Sequence, residues 1–335
     1  MNKKVTIKEL AEKTGLSTTT VSQILNGKGS RFSEKNIKKV LAFRDQLHYV
    51  PNSAARNLSN KTDKTIGVLV PTISNPFFSE FLQLIENYSD SKTHVIMIGL
   101  DGDHSQLYSA IEGLIAQGVD GLIVAVAVEE SSKANDLLRE NWIPYIVLDQ
   151  NSTKDSDFIA TDDFHGGQLV AQYLCKLGHR RFSVVVPGKE SMTYNINLRL
   201  NGFVEKCRDL GIATDDIQIL EAKFSKHGGQ KTVPDIVSFK PTAIFTLSDE
   251  LAIGVLGGIY DQGLEVPGNY SLVGYDDTDY AEFMNPKLTT VRQPISLLAK
   301  YALEMLENRI SDSKLKQQVR AVDVELVIRN STKEN

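Results

Sequence analysis

The sequence predicts a small all-α head of the helix-turn-helix type, followed by a two-lobed α/β body built on parallel sheets. Three observations carry this prediction. Short apolar segments with helical spacing fill residues 5–47. From residue 65 onward, short apolar strands alternate with helices in two successive runs, a pattern typical of parallel sheets covered on both faces. The net charge also changes sign between the two parts.

The charge asymmetry is large. Residues 1–64 contain 13 Lys and Arg against 5 Asp and Glu, a net charge of +8. The whole chain carries −5, so residues 65–335 carry −13. A basic head on an acidic body indicates a head that binds phosphates and a body that does not. A merely solvated basic face is the alternative, but it would not explain an uncharged helix within that head.

The first predicted helix follows Thr6. Thr6 and Glu9 fit a capping box, in which each side chain accepts a hydrogen bond from the other residue's backbone. Gly15 permits a tight turn at the helix end. The apolar residues of this helix recur on one face: Ile7, Leu10 and Ala11.

The second predicted helix, from Ser17 to Gly27, contains no charged residue. Ser17 is a good N-cap, because its hydroxyl can accept a hydrogen bond from a free N–H of the first turn. One face is apolar, with Val21, Ile24 and Leu25, and the other carries Thr, Ser and Gln. A solvated helix normally carries charges, so this polar, uncharged face indicates a binding surface.

A third helix is predicted after Ser33, with apolar residues that face inward: Ile37, Val40, Leu41 and Leu47. Two short helices joined by a glycine-containing turn are typical of helix-turn-helix units, whose second helix enters the DNA major groove. Thr and Gln side chains suit contacts to base edges. An ordinary three-helix bundle with a polar face is the alternative, since capping boxes are common.

The segment after the head is predicted to be a conditional helix. Pro51 ends the third helix, because proline disfavours helix in the residue before it. Residues 52–59 can form about two turns with Asn52 as cap and Leu58 as the main apolar side chain. So short a helix is marginal alone, so we expect order only when it is docked. A plain linker is the alternative.

The body is predicted from two runs of strands and helices. The first run has strands at 66–70, 95–100, 121–126 and 145–148 and helices at 77–88, 106–117 and 131–141. The second has strands at 182–186, 243–247 and 271–274 and helices at 195–210, 227–239 and 250–262. A linking segment from residue 289, a helix at 296–309 and a strand at 322–328 follow, and this last stretch is expected to cross back between the lobes.

Polar and aromatic residues follow several of these strands, where ligands of open parallel sheets bind. They are Asn75, Phe77 and Phe78, Asp149 and Gln150, Ser248 and Asp249, and Asp276 and Asp277. Aromatic faces with carboxylates and amides indicate a sugar-like ligand. Taken singly, each has a structural alternative, since the aromatics can be core and Asp often caps the next helix. Their recurrence in both lobes favours a site.

Several functional classes lack support in the sequence. There is no phosphate-binding glycine loop, no H-E-x-x-H and no G-x-S-x-G, so we expect no catalytic residue, metal or cofactor. Cys175 and Cys207 are expected to be buried thiols in a reducing compartment. With no signal peptide and no membrane span, the chain is expected to be soluble and cytoplasmic. The clusters at 162–165 and 178–181 are assigned to loops or helix ends, and residues 330–335 to a polar tail.

Seven segments of the chain resemble the lac repressor (LacI/GalR) family, and the resemblance spans nearly the full length. They are VTIKELA (5–11), STTTVSQILNG (17–27), YVPN (49–52), IGVLVP (66–71), NPFF (75–78), VGYDD (273–277) and LTTVRQP (288–294). The resemblance implies a helix-turn-helix domain at 1–51, a hinge helix and linker at 52–64, and a body at 65–335 similar to periplasmic sugar-binding proteins. The expected N-lobe is about 65–162 and 294–321, and the C-lobe about 163–293 and 322–330.

The resemblance also implies a DNA-binding repressor that acts as a homodimer on a pseudo-palindromic operator. Thr18, Thr19 and Gln23 would read bases, and Thr20, Ser22 and Asn26 would hold phosphates. The hinge helix would fold on the operator and insert Leu58 into the minor groove, where apolar wedges kink DNA. The full expected DNA-binding set is Thr6, Ser17, Thr18, Thr19, Thr20, Ser22, Gln23, Asn26, Asn52, Ala55 and Leu58.

Within the family the chain is most similar to ribose operon repressors, which implies a sugar, with ribose favoured, bound between the lobes. The implied effector-binding set is Asn75, Phe77, Phe78, Asp149, Gln150, Arg199, Phe224, Ser248, Asp276 and Gln293. Gln150 stands where ribose binders often have Arg, and Ser248 where they often have Asn. A phosphorylated sugar is less favoured, because no basic cluster lies among these residues. A coregulator protein, as in the catabolite-control branch, and a sugar-binding transport receptor are the alternatives.

Overall fold

The computed structural model describes residues 5–25, 31–47, 49, 64–100, 104–149 and 156–335. Several predictions fall outside these residues: the ends of the second and third helices, the hinge helix, and the roles of Asn26, Asn52, Ala55, Leu58 and Gln150. Within the described part of the body, the strands form two six-stranded sheets. The predicted lobe limits stay a prediction.

The described residues of the head form three helices, α1 (Ile7–Thr14), α2 (Thr18–Leu25) and α3 (Glu34–Gln46). The capping box of Thr6 and Glu9 is present, and Gly15 ends α1 in the left-handed conformation at φ +67°. Ser33 caps α3. A small core joins the three helices, with these residues buried: Leu10, Ala11, Val21, Ile24 and Val40. Leu41, predicted to face inward, is only half-buried, and Phe32 and Phe43 pack against the core instead.

The first sheet has the strand order β11-β5-β4-β3-β1-β2. Its strands are β1 (Lys64–Val70), β2 (Thr93–Gly99), β3 (Gly121–Val124), β4 (Tyr145–Leu148), β5 (Asp157–Thr161) and β11 (Val319–Val322). The pairs β1–β2, β1–β3 and β3–β4 are parallel. Every residue of β3 and β4 is buried, because helices cover both faces of a parallel sheet.

The helices that accompany the first sheet are α4 (Pro76–Tyr88), α5 (Leu107–Gln117) and α6 (Lys133–Glu140). A one-turn 3-10 helix, His104–Gln106, precedes α5. Each helix lies within a few residues of its predicted position. The apolar faces of α5 and α6 pack with β3 and β4 into one core, as the alternation of strands and helices predicts.

The second sheet has the order β12-β10-β9-β8-β6-β7. Its strands are β6 (Phe182–Pro187), β7 (Ile217–Ala222), β8 (Ala243–Thr246), β9 (Ser271–Asp276), β10 (Thr289–Arg292) and β12 (Glu325–Val327). All its pairs from β10 to β7 are parallel, and β12 pairs antiparallel with β10. Val184 and Val186 enter one core and Val185 the other, as the two-residue period of a strand requires.

The helices of this part are α7 (Asp163–Lys176), α8 (Tyr194–Asp209), α9 (Lys226–Lys231), α10 (Val233–Phe239), α11 (Asp249–Asp261) and α12 (Asp279–Phe283). Short 3-10 helices occupy Lys189–Ser191 and Thr214–Asp216. The long helix α13 (Ile295–Ser311) precedes β11. Cys175 and Cys207 are free and buried, as predicted. Among the described residues, no helix is long and apolar enough to cross a membrane.

Three sequence predictions are wrong in detail. The helix predicted at 227–239 is broken at Thr232 into α9 and α10, with a proline in the first turn of α10. Proline there lacks the N–H that would continue the preceding helix. The strand predicted at 322–328 is two strands, β11 and β12, which join different sheets. The segment from residue 289, predicted as a link, begins with the buried strand β10.

The C-terminal tail is docked rather than free. The Ser331 hydroxyl donates to the Leu272 carbonyl at 2.6 Å and accepts from the Thr289 N–H at 2.8 Å. The Leu272 N–H donates to the Ser331 carbonyl at 2.8 Å. His179 Nε2 lies 3.1 Å from the Lys333 carbonyl, which agrees with the structural role predicted for the cluster at 178–181. The predicted polar tail at residues 330–335 is therefore held by hydrogen bonds to the second sheet.

This docking gives a stability prediction. Ser331→Ala is expected to lower the free energy of unfolding by about 1–3 kcal/mol, because the buried N–H of Thr289 loses its acceptor. Urea unfolding measures the change. Ser311→Ala, an exposed position at the end of α13, is the control and should change it by less than about 0.5 kcal/mol. Equal stability of the two variants would contradict a structural role for the tail.

Candidate DNA interface and effector site

The exposed face of α2 is polar and uncharged. Ser17 caps the helix, since its hydroxyl oxygen accepts from the Thr20 N–H at 3.1 Å, and the two hydroxyl oxygens lie 2.9 Å apart. Thr18 and Thr19 are exposed, and Gln23 is half-buried. Neither end of the helix carries an acidic or basic residue. Of the residues predicted to read bases, Thr18 and Thr19 therefore lie at the accessible start of this helix, and Gln23 lies about one turn further on.

The opposite face of α2 fixes its position. Val21 and Ile24 are buried against the other two helices of the head. Thr6 is engaged in its own cap, with the Glu9 N–H donating to its hydroxyl oxygen at 3.2 Å. Thr6 is thus a cap first, and its expected role toward DNA stays a prediction. Ser22 is half-buried on this helix.

An aromatic pair follows β1. Asn75 is buried, and its Oδ1 accepts from the Phe77 N–H at 3.0 Å. Phe77 is buried and Phe78 half-buried, and their rings meet edge to face with centroids 5.1 Å apart. Residues 72–84 belong to the same compact unit as residues 159–301. This unit therefore contains the aromatic pair and most of the predicted polar site residues.

Three predicted residues follow neighbouring strands of the second sheet. Asp276 ends β9, Ser248 comes two residues after β8, and Gln293 comes directly after β10. These strands pair in parallel, so their carboxyl ends share one edge. Asp276 is almost fully buried and has a φ of +117°, a backbone strain that is typical of ligand-binding positions.

Arg199 in α8 reaches this edge and is buried. Its Nη1 donates to the Leu247 carbonyl at 2.9 Å and lies 3.4 Å from Asp276 Oδ1, and its Nε donates to Asp163 Oδ1 at 2.6 Å. The guanidinium stacks on the ring of Tyr275 at 3.8 Å from its centroid. Arg199 and Asp276, both predicted as site residues, are therefore in contact.

Asp276 and Gln293 leave hydrogen-bonding capacity unused. Gln293 Nε2 donates to Asp276 Oδ1 at 2.6 Å, whereas Gln293 Oε1 is buried and accepts no hydrogen bond from the described residues. Both hydrogen bonds to the Asp276 side chain end on Oδ1. A buried acceptor without a donor is costly, so Gln293 Oε1 is suited to accept a hydroxyl group of a ligand.

Other predicted residues have structural partners. Ser248 is buried, and its hydroxyl oxygen caps α11 by accepting from the Leu251 N–H at 3.3 Å. Asp249 accepts from the Thr278 N–H at 2.8 Å and from the Thr290 hydroxyl at 2.6 Å. Asp277 pairs with Arg292 and Arg329. Asp249 and Asp277 therefore brace the strand ends rather than face a ligand.

The remaining described residues of the predicted effector set are Asp149 and Phe224. Asp149 is buried after β4 and has a φ of +54°, a second strained aspartate at a strand end. Phe224 is half-buried and packs against both cores of the second sheet. Their contact with a ligand stays a prediction.

Burial and like charges shape the electrostatics of the site. Burial raises the pKa of Asp276 to about 6, although the Arg199 guanidinium acts to lower it. Burial and the charge of Asp276 raise the pKa of Asp249. Partial burial, with Asp279 and Asp277, raises the pKa of Glu80 in α4. Carboxylates thus outnumber the buried cation, so the site disfavours a further negative charge.

Sequence reasoning missed Asp163. It was assigned with residues 162–165 to a helix end, which is correct for its position as the first residue of α7. Its side chain, however, is buried and paired with Arg199. A visible signal was the second aspartate: Asp162 already caps the helix by accepting from the His165 N–H at 3.0 Å, which leaves Asp163 without a capping role.

Two protein-family models match this chain, one over the head and one over the second part of the body. The family model described as bacterial regulatory proteins, lacI family, matches residues 6–52, and that of a periplasmic binding protein-like domain matches residues 171–332. The chain is 32% identical to the HTH-type transcriptional repressor PurR of Photobacterium profundum, over 98% of this chain and 99% of the relative. It is also 32% identical to the ribose operon repressor of Haemophilus influenzae, over 97% and 98%.

A solved structure is also similar. It is a LacI family transcriptional regulator from Enterococcus faecium with bound ribose, at 35% identity and a TM-score of 0.77. The similarity covers 81% of this chain and all of that one.

Proposed function

Because the chain belongs to the lacI family of bacterial regulatory proteins, we propose that it is a transcriptional repressor whose affinity for operator DNA is controlled by a small neutral sugar. Ribose is the first candidate, since one relative is a ribose operon repressor and one similar structure holds ribose. The sugar assignment rests on the buried set of Arg199, Asp276 and Gln293. Within it, Gln293 Oε1 has no donor among the described residues, and the hydrogen bonds from Arg199 and Gln293 to Asp276 both end on Oδ1.

The DNA-binding part of the proposal uses the polar, uncharged face of α2. Thr18, Thr19 and Gln23 read base edges in the major groove, where the Gln amide can pair with adenine. Thr20 and Ser22 hold phosphates, and the excess of positive charge in residues 1–64 supplies sequence-independent affinity. Operator recognition thus divides between uncharged readers and basic phosphate contacts.

Replacing Gln23 with alanine tests this division between residues that read bases and residues that contact phosphates. Gln23→Ala is expected to weaken operator binding about tenfold or more, since a bidentate base contact contributes roughly 1–3 kcal/mol, and to leave binding to random DNA unchanged. Competition binding at fixed salt measures both. Gln46→Ala, at the exposed last residue of α3, is the control. If both DNAs were bound equally weakly by Gln23→Ala, Gln23 would be a phosphate contact.

The effector part of the proposal uses complementary polar and aromatic groups. Arg199 donates to sugar oxygens, while Asp276 and Gln293 accept from hydroxyls. Phe77 and Phe78 supply an apolar surface for the C–H face of the ring. Asn75, Asp149, Gln150, Phe224 and Ser248 complete the proposed set. The carboxylates Asp276 and Asp163 beside the buried Arg199 disfavour a phosphorylated ligand, because a further anion would be repelled.

Control of DNA binding follows from linkage. Sugar can shift the protein between an operator-binding form and a released form only by its differential affinity for the two. Operator binding must then weaken sugar binding by the same factor. The protein acts as a homodimer in the cytoplasm, where two heads meet a pseudo-palindromic operator, and it catalyses no reaction.

The test is fluorescence anisotropy of a labelled operator candidate from the protein's own upstream region, with and without D-ribose, at fixed salt. Salt must be fixed because phosphate contacts make affinity steeply salt-dependent. Tight binding that ribose releases is expected. Tight binding that does not change with ribose would support the repressor assignment and exclude ribose as the effector. If the protein bound the operator no better than random DNA, the repressor assignment would be overturned.

A further inference from the structure

Asp163 lies beside the proposed effector site, and both of its carboxylate oxygens already accept hydrogen bonds from the protein. Its Oδ1 accepts from Arg199 Nε at 2.6 Å, and its Oδ2 accepts from the Thr161 hydroxyl at 2.9 Å. Its side chain is 1% exposed, and that of Arg199 is 4% exposed. A carboxylate with both oxygens occupied and no solvent contact acts on its partner and not on a ligand.

Close packing of α7 and α8 brings the pair together. A Cβ on Gly167 would lie 2.0 Å from the Arg199 carbonyl oxygen, and a Cβ on Gly202 would lie 1.9 Å from the Phe164 carbonyl oxygen. Only glycine allows the two backbones this approach. The start of α7 is thereby fixed against the turn of α8 that carries Arg199.

Arg199 has two carboxylate partners, and it is held unequally by them. Nε is 2.6 Å from Asp163, whereas Nη1 is 3.4 Å from Asp276. Without Asp163, the full positive charge would be drawn to Asp276, the nearest remaining anion, and the guanidinium would compete with a ligand for that carboxylate. The short contact with Asp163 therefore determines whether a carboxylate oxygen of Asp276 stays available to a ligand.

We propose that Asp163 is a positioning residue of the effector site, which anchors Arg199 through Nε so that Asp276 keeps a carboxylate oxygen for a sugar hydroxyl. This inference rests on the proposed function for its ligand. The charged groups that surround the Arg199–Asp276 pair are Asp163 at the start of α7 and Asp249 at the start of α11, and Tyr275 of β9 covers the guanidinium face.

The test compares Asp163→Asn with Asp162→Asn, the same change at the neighbouring exposed cap. The asparagine oxygen at 163 can still accept from Nε, but the charge that balances Arg199 is lost. Asp163→Asn is expected to weaken D-ribose binding at least tenfold by calorimetry, and Asp162→Asn less than twofold. Operator binding without sugar reports that each variant is folded.

A second readout separates positioning from a merely structural role. The charge of Asp163 acts to raise the pKa of Asp276, so Asp163→Asn should move the pH midpoint of ribose binding to lower pH. A loss of affinity with an unchanged midpoint would overturn the proposal, as would an affinity within twofold of the parent. Thr161→Val, which removes the hydrogen bond that the Thr161 hydroxyl donates to Asp163 Oδ2, should weaken binding two- to fivefold and tests the proposal if Asp163→Asn does not fold.

A third arm needs no ligand, so it distinguishes this inference from the proposed function. The thermal midpoint of the parent should fall between pH 4 and pH 6, where Asp276 is ionised in the unfolded chain but still protonated in the folded protein, and in Asp163→Asn it should fall less. The same slope in both proteins would overturn the positioning role even if ribose proved not to be the effector. If the parent did not bind ribose but the two pH profiles still differed, only the assignment of ribose as the ligand would be wrong.

Discussion

Replacing Gly202 with alanine is expected to lower the free energy of unfolding by about 3 kcal/mol. The added Cβ would lie 1.9 Å from the carbonyl oxygen of Phe164 and 2.8 Å from its carbonyl carbon. Both are backbone atoms in the first turn of α7, so no side chain can rotate away. Intrinsic helix propensity acts in the other direction, by about 1 kcal/mol, so the steric contact decides the sign.

Urea unfolding measures this change, and Gly257→Ala is the matched control. Gly257 is also inside a helix, α11, but a Cβ there meets no atom within 4 Å. That variant should gain up to about 1 kcal/mol, because alanine is the better helix former. Destabilisation of both variants to the same extent would contradict the close approach of α7 and α8. Because Arg199 lies on the same face of α8, Gly202→Ala should also weaken ribose binding.

Local rules predicted the head and most of the elements of the body. Caps at Thr6, Ser17 and Ser33 and the apolar spacing of short helices depend only on neighbours in sequence, and the structure confirms them. Buried strands such as β4 were predicted to the residue, because a fully covered parallel strand is an uninterrupted apolar run. The polar residues of the proposed site were predicted from the same logic, since they follow those strands.

What the sequence could not show depends on partners distant in the chain. The strand β5 begins with the buried Asp157, whose charge is balanced by Arg309 at 2.7 Å, a residue 152 positions away. The polar sequence of the tail gives no sign that it is docked, because its partner Leu272 lies far away in the chain. Asp163 looks like a second cap until Arg199 is placed beside it. Polar residues that are buried by such long-range pairing carry no local sign of burial.

Replacing Asp276 with asparagine is expected to weaken ribose binding about 100-fold and to produce a repressor that ribose no longer releases. The variant keeps the shape of the side chain but loses the charge and one acceptor oxygen. A hydrogen bond to a charged group contributes about 1.5–3 kcal/mol, which corresponds to roughly 10- to 150-fold. Operator anisotropy with a ribose titration measures release, and Asp279→Asn, the same change at an exposed position in α12, should behave as the parent.

The pH dependence of the parent gives the same residue a second signature. Burial raises the pKa of Asp276 to about 6, and the ionised carboxylate is a stronger acceptor of sugar hydroxyls than the protonated acid, so ribose affinity should fall by up to about tenfold per pH unit below that value. Stability should move in the opposite direction. In the folded protein the Asp276 carboxyl holds its proton more tightly than in the unfolded chain, where its pKa is near 3.8. The protonated carboxyl therefore contributes stability that is fully present below pH 3.8 and is lost as the pH rises to about 6. Asp276→Asn should flatten both profiles, and a ribose affinity that is constant from pH 5 to pH 7 in the parent would contradict a direct contact between this carboxylate and the sugar.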